Sequence, residues 1–457
     1  MNDTNAAARG ATRDVVVVAV LALFASVLFI DAKSVWLDEA VSIEYALGGP
    51  RNVLTGIALE DPNMSFYYAL LSVWAKLVGP SEMAMRLPSA ICAALTAPLV
   101  YLLGERFFGR RAGLIAGTLF ALNAFIVEFG QTVRGYALLT LLVTAATWLF
   151  VHELDRPSRW TRIAYVITGV LAFHAHYFGA LALLAHFVAL LIIRGKGALT
   201  RETAFVAGGF ALLCSPMVLL AAREGGDRTA WIQPPTLASV WETLFQFAGE
   251  SGILLALLLG SAAYAVLSAR RSGETGPVTI LVAWCVLPFI VALAVSLVKP
   301  LFMPHYLIAS VPPLLLLAAG GLTKLRAPVI AAAGAGTAIV FSVLGLVSYY
   351  REEGDEAFRE AAAWIAPRQQ PGDGIIFQPF YISAPYDYYQ QRGDPPYPEK
   401  VSNDAVSERE RVWLVYSYGH IGRRRREFDD VRASLSRSHR LKATQSFQRV
   451  EIEYYVK

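Results

Sequence analysis

The chain has 457 residues, 55% of them hydrophobic and only 17% charged, with a mean hydropathy of +0.46. Soluble domains carry about 25% charged residues, so this composition excludes a soluble protein over most of the length. The net charge of +4 is too small for a nucleic-acid surface. Cys92, Cys214 and Cys285 all lie in apolar segments and read as small core residues, neither disulfides nor metal ligands.

Arg9 and Arg13 precede the first apolar run, 15–31. No small-residue cleavage site follows it, so it reads as a retained span and not as a signal peptide. A span needs about 20 mostly apolar residues. On that basis ten further spans follow, at 83–103, 112–127, 136–152, 160–175, 178–193, 203–222, 252–269, 278–298, 304–322 and 328–348. The pair 160–175 and 178–193 requires the chain to turn near His174 to Gly179. If the spans alternate, Arg9 and Arg13, then Arg106, Arg110 and Arg111, then Arg156, Arg159 and Arg162, fall on one side. Arg194, Lys196 and Arg201, then Arg270 and Arg271, then Lys324 and Arg326 join them there. The positive-inside bias makes that side the cytoplasm. The stretch 66–78 is apolar and aromatic but too short to cross, and a crossing there would invert every later basic loop. It reads as an interfacial helix within the outer loop 32–82, with Tyr67, Tyr68 and Trp74 at headgroup level.

From about 350 the character changes: charge returns and the segments shorten to the scale of one small α/β domain. A helix is expected at 356–365, a turn at 371–374, strands at 375–377, 411–417 and 450–456, and a helix at 423–435. The basic run 423–426 reads as a solvated helix face. The domains are therefore 1–349 in the membrane and 350–457 outside it.

The acidic pair Asp38-Glu39 directly follows the first span, within Trp36-Leu37-Asp38-Glu39-Ala40. Carboxylates at a membrane edge are costly unless they act, although acids also simply end spans. Three more polar groups fall on the same outer side. In Glu128-Phe-Gly-Gln131-Thr-Val-Arg134-Gly-Tyr136, Arg134 suits a phosphate through its planar fork, or snorkels. In His174-Ala-His176-Tyr177 the imidazoles suit a metal or, equally, a polar headgroup or sugar. Lys299 and His305-Tyr306 precede the tenth span, where a lysine can meet a phosphate or anchor a helix end.

These residues resemble the GT-C glycosyltransferases of the protein O-mannosyltransferase and aminoarabinose transferase superfamily. The resemblance runs over 34–190, through Trp36-Leu37-Asp38-Glu39-Ala40, Asp61-Pro62-Asn63 with Phe66-Tyr67-Tyr68, and Arg86-Leu87-Pro88-Ser89. It continues through Phe108-Gly109-Arg110-Arg111-Ala112-Gly113, Gln131-Thr132-Val133-Arg134-Gly135-Tyr136 and His176-Tyr177-Phe178. Six motifs in the expected order are specific where one would be weak.

The resemblance implies an α-helical polytopic membrane protein of the GT-C fold, with about 11 spans and a small C-terminal α/β domain outside. It implies a sugar transferase that draws on a polyprenyl-phosphate donor and inverts the anomeric carbon. Asp38 would deprotonate the acceptor, and Glu39 would orient acceptor or donor or help hold a cation. Arg134, Lys299 and His305 would face the leaving phosphate, with Arg86, Tyr136, His176, Tyr177 and Tyr306 completing the substrate site. The family often has a histidine and paired prolines where this chain has Asn63-Met64-Ser65, and an arginine where it has His305, whose charge would depend on pH near neutrality. The expected location is a bacterial cytoplasmic membrane, with the N-terminus inside and the C-terminal domain outside.

The expected partners are a polyprenyl-phosphate-linked sugar, membrane lipids and a glycan, lipid or protein acceptor, without nucleic acid. Asp38 and Glu39 suit a divalent cation, but no complete ligand set is visible. The alternative function is a polytopic lipid or sugar transporter or flippase. That class favours internal repeats and mid-membrane charges, and neither is apparent here.

Overall fold

A computed structural model describes residues 2–55, 63–223, 231–390, 398–402, 405–417 and 425–457. Asp61 and Pro62 of the proline motif, and Arg423 and Arg424 of the basic run, lie outside the described residues. The chain divides into two compact units. One comprises Met1–Leu28, Gly49–Gly79 and Ala84–Arg351; the other comprises Phe29–Gly48, Pro80–Met83 and Glu352–Lys457. The break expected after 349 falls at 351, and the second unit also takes in two pieces of the expected outer loop.

The first unit is helical. Among the described residues nine helices are long and apolar enough to cross a membrane: Gly10–Val27, Glu82–Phe108, Tyr136–Asp155, Gly179–Ala198, Arg201–Leu220, Gly252–Ser272, Gly276–Ser296, Pro304–Thr323 and Pro328–Arg351. The pair Arg110–Ala121 and Ala124–Gly130, bent by 56°, makes a tenth if it is one span. The bend sits at Asn123, whose Oδ1 accepts from the Ile126 N–H at 3.0 Å while its Nδ2 donates to the Phe247 carbonyl at 2.8 Å. The side chain thus caps the second helix and ties it to a distant one. The remaining expected span corresponds to the 17-residue helix Arg159–Ala175. Ser65–Val78 is a 14-residue apolar helix, as its length requires.

Polar contacts group the helix ends as alternation demands. At one end Arg110 grips Asp14 through Nε at 2.6 Å and Nη2 at 3.0 Å, and the Tyr101 hydroxyl donates to the same carboxylate. Arg106 pairs with Asp155 at 2.7 Å, and the Lys324 ammonium lies 5.6 Å from the centre of the Phe108 ring. Gly113 allows close helix approach there, since a Cβ would stand 2.6 Å from the Tyr101 carbonyl oxygen. At the opposite end the Gln131 amide donates to the carbonyls of Ser26 and Leu28 and accepts from the Tyr349 hydroxyl.

The second unit is built on a five-stranded sheet: β1 (Gly374–Gln378), β2 (Glu399–Lys400), β3 (Arg411–Tyr416), β4 (Arg440–Phe447) and β5 (Val450–Val456), in the order β2-β1-β3-β5-β4. β1 runs parallel to β2 and β3, whereas β5 runs antiparallel to β3 and β4. Alternating residues fill two layers, one beneath the helices Phe358–Ile365 and Ser383–Gln390, the other beneath Arg425–Ser438. Under the first layer Asp373 is buried, and it accepts from Arg411 Nε at 2.5 Å, Trp413 Nε1 at 2.9 Å and the Gln370 N–H at 3.0 Å. The helix Leu37–Leu47, which carries the acidic pair, belongs to this unit and packs on Ser383–Gln390.

Candidate active site

In the second unit Asp38 and Glu39 occupy the first turn of Leu37–Leu47, where acidic side chains face the exposed N–H groups of the helix start. Their surroundings differ. Glu39 is buried, and its carboxylate reaches back to the Trp36 N–H at 3.5 Å, while Asp38 is half-buried. The Asp38 carbonyl accepts from the Ser42 hydroxyl one turn on, at 2.9 Å. Glu39 is thus engaged in building the turn, and Asp38 is the more accessible carboxylate.

The first unit gathers a cation, two imidazoles and a shell of rings. The Arg134 guanidinium donates to the Tyr68 hydroxyl at 3.2 Å, and its central carbon lies 5.9 Å from the centre of the Tyr136 ring. The Arg134 carbonyl accepts from Ser89, which also bonds Tyr67. Gly135 brings this turn against the next motif: its α-carbon faces the Ala175 carbonyl so closely that a Cβ would lie 2.7 Å from that oxygen. Tyr136 in turn contacts the rings of Phe129, His176, His305 and Tyr306 at centroid distances of 5.1, 5.6, 5.0 and 6.4 Å. His176 and Tyr306 stand 4.9 Å apart, and Phe178 flanks both.

His176 is 1% exposed. Burial, with the neighbouring charges of His305 and Arg134, pushes its pKa down to about 3, so the ring is neutral at physiological pH. Its Nδ1 accepts from the Phe178 N–H at 3.2 Å, which assigns the single proton to Nε2. Nε2 is buried and makes no hydrogen bond among the described residues, leaving a directed neutral donor beside a guanidinium.

Arg134, Tyr136, His176, His305 and Tyr306 are thus brought together. Tyr177 borders them, its N–H donating to Asn63 Oδ1 at 3.0 Å and its ring 5.2 Å from Phe173. Arg86 is buried one turn before Ser89. Lys299 is exposed just past the end of Gly276–Ser296 and takes part in none of these contacts.

Two expectations need correction. Tyr67 and Tyr68 are fully buried by protein and do not face lipid, because their hydroxyls find Ser89 and Arg134. His174 and His176 do not act as a pair. His174 lies in the last turn of its helix, bonded to Ser65 and to the Leu213 carbonyl, whereas His176 is the first extended residue beyond it. Among the described residues no cluster of three or more His, Cys, Asp or Glu side chains is arranged to hold a metal. Phe129 and Phe178 were not named as site residues from the sequence, although each lies within a motif that was quoted.

A family profile described as dolichyl-phosphate-mannose-protein mannosyltransferase matches residues 62–220. That segment includes Arg86, Arg134, Tyr136, His176 and Tyr177 but neither the acidic pair nor His305. ArnT from Cupriavidus metallidurans, solved bound to undecaprenyl phosphate, superposes with a TM-score of 0.64 at 15% identity, covering 96% of this chain and 97% of that one. The chain has the GT-C fold. This GT-C fold is shared with the oligosaccharyltransferase of Archaeoglobus fulgidus, at a TM-score of 0.58 and 13% identity over 88% of this chain and 68% of that one. A putative mannosyltransferase, YkcB of Bacillus subtilis strain 168, is 22% identical over 254 residues. The match takes in 52% of this chain but only 35% of the length of that relative.

Proposed function

We propose that the protein transfers a glycosyl group from a polyprenyl-phosphate donor to a hydroxyl acceptor at the outer face of the cytoplasmic membrane. The observation that carries the reading is the cluster of Arg134, Tyr68, Tyr136, His176, His305 and Tyr306, in which Tyr68, Tyr136 and His176 are buried and the others half-buried, most of it within the segment that matches the mannosyltransferase profile. A guanidinium held in place by a tyrosine, next to a neutral imidazole N–H, suits a phosphate monoester or diester in a site shielded from water. The aromatic shell suits the faces of a sugar ring and the first isoprene units.

In this reaction the acceptor oxygen forms a bond to the anomeric carbon as the bond from that carbon to the phosphate oxygen breaks. The acceptor proton passes to the Asp38 carboxylate, and the electron pair leaves with polyprenyl phosphate. Arg134 and the Nε2–H of His176 stabilise the charge that grows on the leaving oxygen. A single displacement needs no enzyme nucleophile and inverts the anomeric centre. Asp38 suits the base because it is the accessible member of its pair, while Glu39 braces the turn. A carboxylate is a weak base for a hydroxyl, so proton transfer comes late, with the sugar bond already stretched. The basic loops support an orientation with the N-terminus in the cytoplasm and residues 352–457 outside.

The test is transfer of radiolabelled sugar in membranes holding wild type or Asp38→Asn, across a panel of polyprenyl-phosphate sugars. Transfer by wild type that Asp38→Asn abolishes while still inserting is the expected result. Undiminished transfer by the variant removes Asp38 from the mechanism. No transfer from any donor, with translocation of lipid-linked sugar in vesicles instead, replaces the transferase reading with the flippase.

A further inference from the structure

The segment that delivers the acidic pair, 31–37, has no regular hydrogen-bonded structure of its own over most of its length. Side chains more than 300 positions further along the chain satisfy its backbone. The Arg359 guanidinium donates to the carbonyls of Asp31 at 2.7 Å, Ala32 at 3.3 Å and Lys33 at 3.0 Å, and to the Glu82 carboxylate. The Arg359 N–H donates to Ser34 Oγ at 3.0 Å. The Tyr389 hydroxyl accepts from the Val35 N–H at 2.7 Å. Glu356, buried at 3% exposure, accepts from the Leu37 N–H at 3.3 Å through one oxygen and from Ser417 Oγ at 3.5 Å through the other.

Leu37 is the first residue of the helix whose second and third residues are Asp38 and Glu39. The Glu356 carboxylate therefore sets where the helix begins, and Arg359 fixes the chain that feeds it. A carboxylate at a helix start satisfies an otherwise orphaned N–H and is favoured there by the dipole. One guanidinium spanning three consecutive carbonyls fixes the path of the chain as a lysine point charge cannot. Nothing in this arrangement requires Glu356 or Arg359 to touch substrate.

We infer that Glu356 and Arg359 are positioning residues for Asp38, so that the C-terminal domain is a working part of the transferase. The inference rests on the reading of Asp38 as the base. Loss of the clasp lets the carboxylate wander, and misplacement by about 1 Å costs on the order of 100-fold in rate. The donor phosphate site should be untouched, which separates this role from direct binding.

The experiment uses the full-length protein in nanodiscs, comparing wild type with Arg359→Lys, Arg359→Ala and Glu356→Gln. Two readouts are taken: kcat and donor KM for sugar transfer, and hydrogen exchange of the amides over 31–42. The expected result is faster exchange over 31–42 with exchange in β1 and β3 unchanged, and kcat lowered at least about 10-fold in Arg359→Lys, with donor KM kept within about 2-fold. Arg359→Lys keeps the charge toward Glu82, so it guards against a variant that merely fails to fold. Exchange that loosens while an active enzyme keeps its kcat overturns the inference, leaving a structural staple. Unchanged exchange, or a raised KM at constant kcat, overturns it as well. A wild type that transfers no sugar is a different failure: it removes the transferase reading, and the positioning role falls with it.

Discussion

Gly135→Ala is the most demanding test of the cluster, because it adds one methyl group and removes no functional atom. The new Cβ would lie 2.7 Å from the Ala175 carbonyl oxygen, 3.3 Å from Met64 Cγ and 3.4 Å from Tyr67 Cβ. The first contact is to backbone, which cannot rotate away. Restoring ordinary contact at 3.4 Å requires the 134–136 turn and the 175–176 segment to separate by about 0.7 Å. Overpacking of this kind costs about 1–3 kcal/mol. The displacement falls between Arg134 and Tyr136 on one side and His176 on the other, so kcat should fall by about 10- to 100-fold. The assay is sugar transfer per folded molecule, alongside thermal unfolding in the same detergent. Gly113→Ala is the control: it meets the Tyr101 carbonyl at 2.6 Å at the far end of the helices. It should lower thermal stability comparably and leave the activity of each folded molecule intact. Equal activity of Gly135→Ala and wild type would refute the assignment of this turn to the site.

Three further outcomes follow from the same contacts. Tyr68→Phe deletes only the hydroxyl that accepts from Arg134; at about 1 kcal/mol for such a bond, it should raise donor KM by about 5-fold with little change in melting temperature. His176 is neutral in the fold, with its pKa near 3 against an ordinary value of 6.5, so its contribution to stability is complete above pH 6.5 and is lost progressively as pH falls toward 3. His176→Gln should therefore show a smaller drop in melting temperature between pH 7 and pH 5 than wild type. In the second unit Asp373→Ala leaves Arg411 and the Trp413 N–H without the buried acceptor they share, a loss of about 3–5 kcal/mol; limited proteolysis should cut 352–457 preferentially.

The spans were legible because hydrophobic runs of membrane length have few other uses; the expected spans fall on helices, 112–127 on a bent pair and 160–175 on a helix of only 17 residues. Their grouping was legible too: Arg106, Arg110 and Lys324 were assigned to one side, and their contacts sit at one end of the bundle. The burial of Tyr67 and Tyr68 was not, because an apolar helix with tyrosines reads the same whether its hydroxyls meet water or Ser89 and Arg134. Two histidines two positions apart gave no sign that a helix ends between them and sends their rings to different partners. β4 escaped notice because it is an edge strand with mostly exposed polar alternation, Arg440, Lys442 and Gln445 among its residues. Least legible were Glu356 and Arg359, at the start of a helix expected on its apolar spacing alone. Their partners in the 31–37 segment lie more than 300 residues earlier, and no local pattern records such a pairing.

The ion pair of Asp14 with Arg110 also bears on how the chain is made. Asp14 leaves the ribosome well before its partner, which is 96 residues further along. An unpaired carboxylate near a membrane boundary is costly, and Arg110 opens the helix that follows the second long span. The helix Gly10–Val27 can therefore enter the bilayer early, but its polar end is sealed only once Arg110–Ala121 emerges and folds back against it. Packing of this corner is tied to the order of synthesis, and the clasp marks the stage at which the bundle can begin to close.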